Sequence, residues 1–195
     1  YSAKNIEHKP GGVSYILVGI GKLERIKMRI PGGFTVYNSM TAAVCAARNG
    51  KRVLLLEKNN KLGRKIAASG NGKCNLTNAV ISAEYYHNAY PDELSAILGQ
   101  CDRESVLRFM LSLGIRCKDK RGYYYPMSEQ AAVVVQMLQA ELEHLKVIIV
   151  LEERFLELLR DSEGFSVVTD KKRYRAENVI LSGGGMAAPK LGAEN

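Results

Sequence analysis

Residues 53–78 read VLLLEKNNKLGRKIAASGNGKCNLTN and decide the fold. The first four residues are apolar, without polar alternation, and end at Glu57, which is typical of a parallel strand buried on both faces. Residues 40–48 just before them are rich in alanine and end at Asn49-Gly50, the pattern of a helix with its stop signal. A helix, a turn, a buried strand and a terminal acid form the second half of a βαβ nucleotide-binding unit, in which the acid accepts hydrogen bonds from ribose hydroxyls. Glu57 stands in that place.

The stretch after Glu57 is rich in glycine, asparagine and cations. Residues 69–78 contain two glycines and three asparagines, so they predict a tight loop whose exposed backbone can approach a flat or anionic ligand closely. Arg64, Lys65 and Lys73 add positive charge that suits a diphosphate. A solvated surface loop explains the same composition equally well.

Three motifs in this region resemble those of the aminoacetone-oxidase-like family of NAD(P)/FAD-dependent flavoprotein oxidoreductases. They are Glu57-Lys58, the Leu-Gly-Arg-Lys at 62–65 and the ten-residue loop at 69–78, and the similarity continues to Gly192. The resemblance implies FAD in a dinucleotide-binding fold, with the loop close to the flavin. It also implies that the backbone at Arg154-Phe155 holds the adenine ring, and that a glycine-rich turn at 182–185 lies beside the cofactor. The cofactor-binding residues expected on this basis are Glu57, Lys58, Arg64, Lys65, Ser69, Gly70, Asn71, Gly72, Cys74, Asn75, Phe155, Ser182, Gly183 and Gly184.

No catalytic set of protein groups stands out in the sequence. A flavoenzyme does not need a conspicuous catalytic set, because the flavin carries the redox chemistry and the protein binds and orients the flavin. The resemblance therefore implies, as the leading expectation, an FAD-dependent oxidoreductase with a small-molecule substrate, an amine or amino ketone being a candidate, and NAD(P)H a candidate reductant. Two alternatives stay open: a non-catalytic nucleotide-binding fragment, and a basic RNA-associated flavoprotein-like domain.

Composition limits the other function classes. The chain has 195 residues, 46% of them hydrophobic, which is enough for one domain with a sizeable core. No apolar run approaches the roughly 18 residues of a membrane span, so no membrane partner is expected. Four cysteines without a Cys-x-x-Cys pair and three histidines give a metal site little support and favour the cytoplasm. The net charge of +8 suits an anionic cofactor and also permits nucleic-acid binding. Because lysine and arginine form no dense run interleaved with aromatics, nucleic acid is not the expected partner.

The first 39 residues depart from the family pattern. Residues 1–33 predict a loose polar start and then a β-hairpin from strands at 13–18 and 25–30. The rival interpretation makes Gly19 to Gly21 a degenerate phosphate loop that opens a helix at Lys22. Residues 34–195 predict an incomplete FAD-binding domain, whose substrate domain would follow. A strand at 34–37 passes to the first helix through Asn38-Ser39, either of which could cap it, where the family has a glycine-rich turn. Weak FAD binding is therefore expected, because glycines bring the pyrophosphate onto a helix N-terminus.

The rest of the chain predicts alternating helices and strands. Helices are expected at 91–99, at 103–113 and, capped by Ser128, at 129–145. Strands are expected at 115–118, 123–125, 147–151 and 179–181, and the strands at 155–159, 165–169 and 173–176 predict a β-meander. The tyrosines at 123–125 are either flavin-facing or simply packed. The predicted fold class is α/β, a doubly wound FAD-binding (Rossmann-like) parallel sheet with a β-meander.

Overall fold

A computed structural model describes residues 2–9, 12–19, 22–28, 39–85, 91–100 and 102–182. The strands are β1 (Ser2–Lys9), β2 (Gly12–Gly19), β3 (Lys22–Met28), β4 (Leu54–Leu56), β5 (Thr77–Asn78), β6 (Cys117–Lys120), β7 (Tyr123–Pro126), β8 (Ile148–Val150), β9 (Phe155–Asp161), β10 (Gly164–Thr169) and β11 (Arg173–Ala176). The helices are α1 (Ser39–Arg48), α2 (Arg64–Ala68), α3 (Pro91–Gln100), α4 (Arg103–Ser112) and α5 (Ala131–His144), with short 3-10 turns at Ser69–Gly72 and Ala83–Tyr85.

The centre of the α/β unit is the parallel pair of β4 and β8. Leu54 lies opposite Ile148 in this pair, which confirms the predicted parallel strand at 147–151. Leu55 is buried, whereas Leu54 is 38% exposed and Ile148 50% exposed. The prediction that the strand is buried on both faces is therefore wrong for one face, in the part of the chain that the structure describes.

Helix α5 is the main core element beside this pair. Its Val134, Leu138 and Leu142 are almost fully buried and share one cluster with Met40 and Val44 of α1. Their spacing of four residues places them on one helix face. The sequence predicts a stripe of Ala132, Val135, Leu138 and Leu142, which is confirmed for Leu138 and Leu142 and wrong for Ala132, since that residue is exposed and Ala131 and Val134 are buried instead. The helix begins at Ala131, later than predicted, and Gln130 rather than Ser128 stands at the cap position.

Two antiparallel sheets are formed by strands within residues 77–176. Strands β9, β10 and β11 form the predicted β-meander, and β5, β7 and β6 form a second three-stranded sheet. The turn between β6 and β7 is Arg121-Gly122, both with positive φ (58° and 86°), which is the backbone of a tight hairpin turn. The Asp119 carboxylate accepts a hydrogen bond from the Gly122 N–H at 2.8 Å and closes that turn.

The amino-terminal segment differs from its prediction in one strand. β2 and β3 pair antiparallel with Gly19 opposite Lys22, so the alternative of a helix opening at Lys22 is wrong. β1 also pairs with β2, so the loose start expected for this segment is wrong. The boundary near residue 33 stays a prediction, and the strand at 34–37 and the cap Asn38 lie outside the described residues, while Ser39 is the first residue of α1.

Two further observations concern the predicted last strand and the possibility of a membrane-spanning helix. Residues 179–181 are not a strand, in contrast to the prediction. None of the helices among the described residues is both long enough and apolar enough to cross a membrane.

The packing of α2 against α5 generates a stability prediction. Gly63 precedes α2 with a φ of +74°, and a Cβ added there would lie 2.7 Å from Val135 Cγ1. We expect Gly63→Ala to lower the free energy of unfolding by about 2–4 kcal/mol, because overpacking and an unfavourable φ act together. Urea unfolding measures the change.

Gly50→Ala is the matched control for this change. Gly50 has the same φ of +74°, but nothing lies within 4 Å of an added Cβ. Its substitution should cost only the backbone term, about 1 kcal/mol. Equal losses for the two variants would show that the contact with Val135 does not constrain the α2–α5 interface.

Candidate cofactor site

Glu57 lies immediately beyond β4, at the carboxyl end of the parallel pair. Its N–H donates to the Val150 carbonyl at 2.9 Å, and its own carbonyl accepts from the Glu153 N–H at 3.2 Å. The backbone on both sides of the acid is thereby tied to the exit of β8. Ligands of open α/β sheets bind in the crevice outside these strand ends, so Glu57 stands where a nucleotide would reach it.

Asn59 fixes the Glu57 side chain. The Oε1 atom of Glu57 accepts from the Asn59 N–H at 2.9 Å and from Asn59 Nδ2 at 2.6 Å. Asn59 Oδ1 in turn accepts from the Arg64 guanidinium. In this structure Arg64 therefore contacts Asn59, and its charge supports the acid rather than standing apart for a diphosphate.

Two more acidic residues, Glu153 and Asp170, form hydrogen bonds where the chain leaves β8. Glu153 is buried, and Thr169 Oγ1 donates to its Oε1. The Arg154 N–H donates to Asp170 Oδ1 at 2.9 Å, and the Arg154 carbonyl accepts from the Asp170 N–H at 3.0 Å. Phe155 begins β9 and is half-buried. The backbone polar groups of Arg154, expected at the adenine, are thus engaged with Asp170.

The glycine-rich loop is an ordered turn with an exposed outer face. Gly70, Asn71 and Gly72 have φ of 55°, 54° and 80°, three left-handed residues in succession, and all three are exposed. The turn closes through hydrogen bonds from the Lys73 N–H to the Gly70 carbonyl and from the Cys74 N–H to the Ser69 carbonyl, both at 3.1 Å. Such a run presents backbone rather than side chains to the surface.

Cys74 anchors the inner side of this loop. Its side chain is 6% exposed and belongs to the hydrophobic core. Burial raises the pKa of the Cys74 thiol, and a hydrogen bond with Ser69 partly opposes that effect. The thiol is therefore a neutral core group. The expectation that Cys74 binds the cofactor stays a prediction.

The β6–β7 hairpin lies directly beside the loop. The Leu76 N–H donates to the Tyr124 carbonyl at 2.8 Å, and Asn75 Nδ2 donates to Asn78 Oδ1 at 3.2 Å. A Cβ added to Gly70 would lie 3.6 Å from Tyr125 Cε1, so the Tyr125 ring packs against this turn. Packing explains Tyr125, while Tyr123 is exposed.

The remaining residues expected to bind the cofactor are not all found with Glu57 and the glycine-rich loop. Lys58 and Lys65 are half-buried, and Ser182 is half-buried outside any strand. Gly183 and Gly184 lie outside the described residues. Sequence reasoning missed Asn59, Glu153 and Asp170. Only Asn59 carried a signal, because an asparagine two residues after a strand-terminal acid favours a side-chain turn.

The described residues contain no group of histidine, cysteine, aspartate and glutamate that could hold a metal ion. The polar groups of the site fit a dinucleotide better than a metal ion. A fixed carboxylate at a strand end suits ribose hydroxyls, and nothing among the described atoms lies within 4 Å of a Cβ added to Gly72, which leaves room above the loop.

Comparison with known proteins identifies the family. Residues 37–195 match the HI0933-like protein Rossmann domain. The chain belongs to this family. It is an FAD-binding Rossmann family, which confirms the predicted α/β fold class and the predicted cofactor.

The chain covers only part of the length of the relatives that have named activities. The chain is 39% identical over 159 residues to the 3-dehydro-bile acid delta(4,6)-reductase of Clostridium scindens, covering 80% of this chain and 39% of the relative. It is 29% identical over 154 residues to the ribosomal RNA dihydrouridine synthase of Escherichia coli, covering 79% and 38%. The chain thus spans about two fifths of these relatives.

Solved structures resemble the chain more distantly. Thermovibrio ammonificans THI4 superposes with a TM-score of 0.44 at 14% identity, over 71% of this chain and 45% of that one. The open form of NikD, an amino acid oxidase, superposes with a TM-score of 0.36 at 17% identity, over 71% and 46%.

The two loop glycines should respond differently to substitution. A Cβ on Gly70 would lie 2.7 Å from the Asn75 backbone nitrogen, whereas one on Gly72 meets open space. We expect Gly70→Ala to cost about 1–3 kcal/mol more unfolding free energy than Gly72→Ala, because a rigid backbone atom cannot yield to the new methyl group. Gly72→Ala is accordingly the cleaner probe of ligand contact.

Urea unfolding of both variants checks this difference, and FAD titration of Gly72→Ala checks the ligand contact. Equal stabilities would show that the loop moves freely enough to admit a side chain at Gly70. Unchanged FAD affinity in Gly72→Ala would remove the outer face of the loop from the cofactor site.

Proposed function

We propose that this chain is the cofactor-binding domain of an FAD-dependent oxidoreductase, in which Glu57 accepts hydrogen bonds from the adenosine ribose. The observation that carries the proposal is the fixed position of Glu57 at the end of the β4–β8 pair, with Oε1 occupied by both nitrogen donors of Asn59. A carboxylate held in this way is organised before the ligand arrives, which reduces the ordering cost of binding.

The bound FAD would supply the redox chemistry, and the chain binds and orients it. Glu57 holds the ribose, and Arg64 keeps the acid in place through Asn59. The exposed backbone of Gly70 to Gly72, flanked by Ser69 and Asn75, would hold the flavin end of the cofactor, as the family resemblance implies. The excess of cations in the chain, +8 in all, favours the approach of the diphosphate.

The substrate that we propose is a small organic molecule. The relative named 3-dehydro-bile acid delta(4,6)-reductase supports a reductase, for which NAD(P)H is the proposed source of electrons. The resemblance to the aminoacetone-oxidase-like subgroup supports the narrower possibility of an amine or amino ketone.

A second candidate function is reduction of an RNA base. The relatives named ribosomal RNA dihydrouridine synthase, from Escherichia coli and Haemophilus influenzae, and the positive net charge favour it. Full-length protein loaded with FAD would be reduced anaerobically with NADH or NADPH and then mixed with a bile-acid enone or ribosomal RNA, each of which would accept electrons and reoxidise the flavin. A second sample with oxidised FAD would be mixed anaerobically with aminoacetone, whose oxidation would reduce the flavin. A change in flavin absorbance with one class only would choose between the candidates. No change with any of them, with flavin bound, would favour a non-catalytic nucleotide-binding protein.

Removal of the Glu57 charge tests the ribose contact. We expect Glu57→Gln to weaken FAD binding by about 1–3 kcal/mol, the range for hydrogen bonds that involve a charged group. Quenching of flavin fluorescence during titration measures the affinity. Glu141→Gln is the control, because Glu141 forms an ion pair with Arg48 of α1 and has no contact with Glu57 or Asn59 among the hydrogen bonds of those residues. An equal affinity of Glu57→Gln and the parent chain would contradict the assigned role.

A further inference from the structure

One carboxylate gathers three lysines beside the glycine-rich loop. Glu129 Oε1 lies 2.8 Å from Lys118 Nζ, and its Oε2 lies 3.1 Å from Lys120 Nζ and 3.3 Å from Lys73 Nζ. Lys118 and Lys120 belong to β6, whereas Lys73 closes the loop directly after Gly72. Glu129 therefore joins two segments that are distant in sequence.

The position of Glu129 is fixed by its backbone as well as by its partners. It has a φ of +50°, unusual for this residue type, and its N–H donates to the buried Pro126 carbonyl at 2.8 Å. The left-handed turn delays the start of α5 to Ala131. With this left-handed backbone, the Glu129 carboxylate lies within reach of all three lysine ammonium groups.

The cluster is a network rather than a single surface pair. An isolated exposed ion pair contributes little, but several charges around one fixed group are a recognised exception. The Glu129 side chain is 22% exposed, less than any of its lysine partners. Hydrogen bonds from Lys118, Lys120 and Lys73 lower the pKa of Glu129 to about 2, so the carboxylate is charged at neutral pH.

The loop is held on two sides as a result. Burial of Cys74 anchors its inner side, and the Lys73 ion pair anchors its outer side at the neighbouring residue. Between these anchors and Ser69 lie the three exposed left-handed residues. Release of the outer anchor would leave that backbone free to shift and would uncover Cys74 intermittently.

We propose that Glu129 is a positioning residue that locks the loop of residues 69–75 against the β6–β7 hairpin and so sets the geometry of the loop backbone. The effect on FAD rests on the function proposed above, whereas the lock itself does not. Neither Glu129 nor Lys73 needs to contact the cofactor.

The experiment compares Glu129→Gln with the parent chain through two independent measurements. The first is the rate of Cys74 alkylation by iodoacetamide, resolved by peptide mass spectrometry without FAD. We expect an increase of about five- to twentyfold, because local opening governs access to a buried group. Cys45 on α1 is half-buried and distant in sequence, and its rate serves as the internal reference for global unfolding. The second measurement is FAD affinity, which should fall by about three- to tenfold.

Three further variants separate the lock from a general loss of stability. Lys73→Gln should reproduce the Glu129→Gln rates, and the double variant should add little, as expected of partners in one interaction. Glu129→Asp keeps the charge and should restore part of the protection. Glu141→Gln is the matched control, because it makes the same change at a residue of similar exposure, 20%, that pairs with Arg48. It should change neither measurement.

The outcomes distinguish this proposal from the proposed function. An unchanged Cys74 rate in both Glu129→Gln and Lys73→Gln would overturn the lock, whatever the FAD affinity does. Equal acceleration of Cys74 and Cys45 would also overturn it, since the variant would then merely unfold more often. Selective acceleration at Cys74 with unchanged FAD affinity would support the lock and reject the loop as part of the cofactor site.

Discussion

The parallel pairing of β4 with β8 is the constraint on which the rest of the structure depends. Parallel strands cannot be joined by a tight turn, so the chain between Leu56 and Ile148 has to leave the pair and return. All of α2 to α5 and the β5–β7–β6 sheet lie in that excursion. The same pairing brings the backbone of Glu57 against Val150 and Glu153, and thus gives an acid at a strand end a fixed place.

The excursion returns through a tight interface between α2 and α5. The residue before α2 has to be a glycine, because Val135 of α5 occupies the volume that a Cβ at Gly63 would need. Glu129 stands just before α5, has a left-handed backbone, and places its carboxylate within ion-pair distance of three lysines. The packing at Val135 and the ion pairs of Glu129 both lie at the amino-terminal end of α5, beside α2 and the glycine-rich loop.

Local patterns predicted the regular elements well, and contacts across the sequence explain the failures. The apolar run at 53–56 and the turns of the meander carry strong local signals, and the structure has these strands. β1 reads SAKNIEHK, whose polar residues hide a strand that becomes clear only through its pairing with β2. Ser128 looks like a helix cap, but Glu129 has a left-handed backbone and its N–H is bonded to the Pro126 carbonyl, so the helix begins only at Ala131. Asn59 was readable in principle, since its partner stands two residues away.

Several residues of the candidate site fix the positions of neighbouring residues. A substitution of one of them can therefore change ligand affinity indirectly. Arg64 and Lys73 carry the charges that the sequence assigns most naturally to a diphosphate, yet each is engaged by the protein itself, with Asn59 and Glu129 respectively. A loss of affinity after removal of either charge would therefore not prove a contact with phosphate, because the same loss follows from a misplaced Glu57 or a loosened loop. For Lys73, access to Cys74 in the free protein separates a loosened loop from a direct contact, since a direct phosphate contact leaves the unliganded loop unchanged.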